Sequence, residues 1–98
     1  MIERVVRMYF KPEEVDAFLE LFNSSSKMIR NFPGCEHLEL WRDPKDESVF
    51  MTFSRWRSEE HLDNYRNSEL FGEVWSKTKA KFRQEPQAFS GVEYIVVD

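Results

Sequence analysis

Apolar residues alternate with polar ones at the start of the chain. Ile2, Val6, Met8 and Phe10 share one parity, and Val5, Arg7 and Tyr9 share the other. That period predicts a strand from Ile2 to Phe10. Lys11-Pro12 ends it. Proline suits the first turn of a helix, and Glu13 and Glu14 suit its positive end. Val15, Phe18, Leu19, Phe22, Ile29 and Phe32 then describe one helical stripe. Ser24-Ser25-Ser26 interrupts the stripe and predicts a weak middle or a bend. Lys27 and Arg30 favour the C-terminal end, and Pro33-Gly34 stops the helix.

The period returns to two from Cys35 to Arg42, and again from Glu47 to Trp56. Between them Asp43-Pro44-Lys45-Asp46 is a turn, because Asp bonds its own backbone and Pro fixes φ. The pair predicts a hairpin. Ser58-Glu59-Glu60 opens a short helix to about Arg66, with Ser58 as its cap. Ser68-Glu69 starts a second helical piece, whose buried stripe is Leu70, Phe71, Val74, Trp75, Thr78 and Phe82. Gln84 to Ser90 reads as a loop, and Gly91 to Asp98 as the last strand. The order predicts an α+β fold, a ferredoxin-like βαββαβ unit with one antiparallel sheet and helices on one face. The first and last strands are expected side by side in the middle.

Helices cover only one face of such a sheet, and a solvated second face should alternate to polar residues. Here both parities carry apolar or aromatic residues in 49–56 and 92–97, and so do Val5 and Tyr9. A second copy packed sheet to sheet is the simplest cover, so a two-fold homodimer is expected. The alternative is a mixed face left partly exposed.

Composition sharpens this picture. Ninety-eight residues are expected to form one domain, 1–98, burying roughly two-thirds of the unfolded surface. Fifteen aromatics, nine of them Phe, are too many for a disordered segment. They must fill a core, an interface or a pocket. No apolar run approaches a membrane span. The net charge of −4 comes from interspersed signs, not from a basic face, which argues against nucleic acid as a partner. The single cysteine, Cys35, excludes an internal disulfide. With no signal-peptide pattern at the N-terminus, a cytoplasmic location is the expectation.

Several stretches carry a resemblance: the Lys11-Pro12-Glu13-Glu14 helix start, the Phe32-Pro33-Gly34-Cys35 turn, and Phe53-Ser54-Arg55-Trp56-Arg57-Ser58-Glu59-Glu60 followed by Tyr65-Arg66-Asn67-Ser68-Glu69-Leu70-Phe71. Together, over nearly the whole chain, this set resembles antibiotic biosynthesis monooxygenase domains of the dimeric α/β barrel group. The resemblance implies sheet-to-sheet dimers with a pocket between sheet and helices. It also implies, for some members, cofactor-independent oxygenation of phenols and quinone-type compounds. Others degrade haem or process signalling molecules.

Trp56 matches the family's pocket tryptophan. Thr52 stands where several oxygenating relatives carry asparagine, and Tyr65 where many carry histidine. Val6 and Trp75 stand where haem-degrading relatives use asparagine and histidine. Neither side chain can serve there, so haem degradation is disfavoured.

The expected catalytic residues are therefore Trp56, Tyr65 and His61, with Tyr65 or His61 handling a proton. The expected substrate-binding residues are Thr52, Ser54, Phe71 and Trp75. Each also has an ordinary role open to it: core packing for Trp56, Phe71 and Trp75, backbone hydrogen bonding for Thr52 and Ser54, a rim position for Tyr65, a solvated helix turn for His61. No metal-ligand spacing and no flavin or nicotinamide fingerprint occurs, so no cofactor is expected. The expected partner is a small aromatic molecule, oxygenated if the protein is an enzyme. The alternative is a non-catalytic binding or stress-response module.

Overall fold

Strand β1 (Ile2–Tyr9) and the residue after it send Val6, Met8 and Phe10 into the apolar layer between sheet and helices. The structure is a computed structural model that describes every residue from Met1 to Asp98. A 3₁₀ turn at Pro12–Glu14 leads into α1 (Val15–Arg30). The serine run does not interrupt α1. Ser24 and Ser25 turn their hydroxyls back onto the Leu21 carbonyl at 2.9 and 2.8 Å, so their competition with the backbone is local. Gly34 then reverses the chain with φ +90, a region that suits glycine.

Strands β2 (Cys35–Arg42) and β3 (Val49–Trp56) pair antiparallel, with one irregularity between Cys35 and His37. Asp43 closes the turn between them by accepting the Lys45 and Asp46 N–H groups at 2.8 and 3.1 Å. Ser58 caps α2 (Glu59–Arg66), and Ser68 caps α3 (Glu69–Lys79). Each serine oxygen accepts an N–H three residues on, from His61 at 3.2 Å and Phe71 at 3.1 Å.

The last strand lies earlier than its apolar run implies. β4 is Gln87–Val92, and residues 93–98 continue beyond the sheet, exposed. The cause is pairing: Val92 faces Ile2, the first residue of β1, so β1 offers nothing to the residues that follow. The sheet order is β2-β3-β1-β4. The first and last strands are neighbours as expected, but β1 and β3 hold the middle and β4 is an edge. The fold is ferredoxin-like α+β, one antiparallel sheet with three helices. No helix is long and apolar enough to cross a membrane.

Two clusters make the core. Phe10, fully buried, stacks on Phe18 with centroids 4.1 Å apart, and Met8 and Phe50 complete the group. Cys35, Trp56 and Leu62 form the other. Burial stabilises by about 1.5–3 kcal/mol for each large side chain. The face away from the helices is mixed. Trp41 stacks on Phe53 at 5.3 Å there, Arg7 pairs with Asp43 and Arg55 with Glu3, and Phe89 is 59% exposed.

Candidate functional site

Strand register sets the site. Trp56 and Val92 flank Ile2, Ser54 and Ser90 flank Arg4, and Thr52 and Ala88 flank Val6. Alternate side chains share a face, so these three rows all point toward the helices. Between them and the helices lies a cavity of about 160 Å³, lined mostly by apolar side chains. An apolar cavity of about 150 Å³ is large enough to hold a benzene ring. Ala88 and Ser90 remain exposed on the helix-facing side of β4, so the cavity lies beside an open edge strand.

Trp56, Tyr65, Thr52, Ser54, Phe71 and Trp75 all line this cavity. Trp56 is 1% exposed and donates its indole N–H to Ser54 Oγ at 3.0 Å. That bond occupies one Ser54 lone pair and leaves the serine proton for another acceptor. Tyr65 stacks on Trp56 with centroids 4.8 Å apart at 22°, and meets Phe32 and Phe71 edge-on at 5.4 and 5.2 Å. This burial pushes the Tyr65 phenol above its ordinary value. Tyr65 therefore stays protonated near neutral pH, a hydrogen-bond donor and not a base. Phe71 and Trp75 stand one turn apart on α3 and stack at 5.8 Å.

His61 does not line the cavity. Its Nδ1 lies 2.7 Å from Ser58 Oγ, and its ring fills the space beside Gly34. The structure thus gives it a packing role at the start of α2. His37 lies on the outer face against Phe53 and pairs with Glu39. Cys35 is buried, with Sγ directed at the His37 carbonyl; burial pushes its thiol up, which disfavours the reactive thiolate.

Both charged lining residues, Arg4 and Arg66, were absent from the residues expected at the site, as were apolar wall residues such as Leu21, Leu38 and Val74. The signal for Arg4 was present. It shares the parity of Ile2, Val6 and Met8, the core-facing set of β1. Arg66, at the end of α2, pairs with Asp63 at 2.7 Å.

The sequence profile of antibiotic biosynthesis monooxygenases matches residues 1–76, most of the chain and all of the cavity wall except Thr78, Pro86 and Ala88. The chain belongs to the antibiotic biosynthesis monooxygenase family. Solved structures agree in fold. An antibiotic biosynthesis monooxygenase crystal structure superposes with TM-score 0.91 at 24% identity, covering 97% of this chain and 100% of the other. A conserved protein of Methanosarcina mazei Go1 gives 0.90 at 20%, covering 95% and 92%. Rv0793 of Mycobacterium tuberculosis gives 0.87 at 18%, covering 99% and 98%. No curated protein sequence matches the chain. In this family member the cavity lies between Trp56 on β3 and the α2–α3 pair, and β4 and α1 complete its wall.

Proposed function

We propose that the protein is a homodimeric, cofactor-independent monooxygenase acting on a small phenol- or quinone-type ring. The observation that carries this is the ring-sized apolar cavity with two stacked aromatics, Trp56 and Tyr65, and the hydroxyls of Thr52 and Ser54 on one wall. Flat apolar walls with few polar groups suit orientation of a ring. The chemistry asked of the protein is modest. An electron-rich ring in its keto form carries a CH₂ carbon. Its two C–H bonds break and O₂ takes the four electrons. One oxygen becomes the new carbonyl, and the other leaves with both hydrogens as water. Tyr65, Thr52 and Ser54 orient the ring oxygens, and the positive wall at Arg4 favours the electron-rich anionic form.

Oxygen uptake with single-ring hydroquinones tests this reading. Tyr65→Phe, which removes a preorganised donor, should lower kcat by about a hundredfold, and Trp56→Phe, which removes part of the ring platform and frees Ser54, should lower it as well, while both proteins stay folded. Turnover unchanged in both variants rejects the site assignment. A second reading has its own support: no lining side chain is an evident general base, because neither histidine lines the cavity and Tyr65 is held neutral. Tight binding of ring compounds with no oxygen uptake would favour a binding module instead.

A further inference from the structure

The helix-facing side of the two central strands carries one charge, Arg4. Strand β1 carries two arginines, both partly buried, and they are treated differently. Arg7, on the outer face, meets Asp43 at 2.8 Å. Arg4 meets no carboxylate. Its Nη1 donates to Ser90 Oγ at 3.1 Å, and the charge that bears on it is the like charge of Arg66, also on the cavity wall. Partial burial and the Arg66 charge both work against the guanidinium. A partly buried cation beside another cation is stabilised when an anion joins it.

We propose that the ring bound in the cavity carries a carboxylate, held by Arg4 while the ring lies against Trp56 and Tyr65. The inference rests on the cavity being the ligand site, as proposed above. A guanidinium presents a planar fork that two carboxylate oxygens match. Ser54 and Ser90 occupy the same cross-strand row as Arg4, and the Ser54 proton has no protein acceptor. A volume of about 160 Å³ selects one ring with a small substituent. The substrate class is then a phenol- or hydroquinone-type ring acid. A cationic ring is excluded from the same place by repulsion.

Three isosteric probes, benzoate, benzamide and benzamidinium, separate charge from shape. Their dissociation constants can be followed by NMR shifts of the Trp56 and Trp75 indole signals. Wild type should bind benzoate about tenfold or more tighter than benzamide, as expected for a charged hydrogen bond. Benzamidinium should bind most weakly. Added salt should weaken benzoate and leave benzamide unchanged. In Arg4→Gln, checked for folding by its melt, benzoate should fall to the level of benzamide, whose own affinity should stay put. Arg4→Lys should keep a reduced preference. Benzamide binding as tightly as benzoate to wild type, or a preference that survives Arg4→Gln, overturns the ring acid and leaves the cavity as a ring site. If none of the three probes binds, the ring-site reading fails as well.

Discussion

Gly34 answers two demands at once. Its φ of +90 suits a residue without Cβ, and a Cβ there would run into the His61 ring. Gly34→Ala should therefore cost about 2 kcal/mol or more, from backbone strain and displacement of His61. In a domain of this size that lowers Tm by roughly 10 °C. Gly72 is the control, since it lies inside α3 with open space around its Cα. Gly72→Ala should be neutral or stabilise by up to about 1 kcal/mol. Thermal melts followed by circular dichroism decide it, and equal melts for Gly34→Ala and wild type would refute the clash. His61 and Tyr65 lie one helical turn apart. His61 packs against Gly34, and Tyr65 against Trp56, from the same helix.

At the scale of elements, the β2–β3 turn is an electrostatic lock. Asp43 accepts the Arg7 guanidinium at 2.8 Å and the Lys45 N–H at 2.8 Å, and both hold its carboxyl below the usual range. Asp46, bonded by the Ser48 N–H and hydroxyl, is shifted the same way. A depressed carboxyl binds its proton more weakly when folded. Its stabilisation is present above the ordinary aspartate value of about 4 and is lost as pH falls through the lower folded value. Asp43→Asn keeps an oxygen for the turn but removes the titration. Its urea midpoint should fall less steeply than wild type between about pH 4.5 and 2.5. Identical slopes would show that Asp43 is not part of the acid response. Most elements here were legible because their signals are local: the Ser58 and Ser68 caps, the Pro33-Gly34 stop, the Asp43 turn. β4 was not. The run Tyr94-Ile95-Val96-Val97 looks more like a strand than Gln87-Ala88-Phe89-Ser90 does, yet the partner decides, and β1 ends opposite Val92. The site was half legible for a related reason. Aromatics in the family's order pointed to Trp56, Tyr65 and Phe71. Arg4 looked like an ordinary charge until its register showed which side it faces.

For the whole molecule, the remaining tension is apolar surface. The tail leaves Tyr94 92% exposed and Val97 87% exposed, with Ile95 and Val96 also open, directly beyond a strand exposed along its whole length. Phe89 and Trp41 lie on the outer face of the same sheet. A β-prone apolar segment with unpaired backbone groups is an invitation to pair. A two-fold partner would receive one tail and supply another, and would bring its own outer face to cover Phe89. Covering four apolar side chains on each of two tails gains about 12–24 kcal/mol at most. Association costs about 4–15 kcal/mol, so a micromolar dimer is affordable on the tails and face together. Light scattering after size exclusion should give the mass of two chains at micromolar concentration. Removing residues 93–98 should shift the population toward one chain on dilution while the melt of the remaining fold changes little, since the tail makes no element of the sheet. A dimer unaffected by the truncation would place the contact on the outer face alone. A single-chain mass for wild type at tens of micromolar would leave the mixed face and the tail to water, and would remove the homodimer from the proposed function.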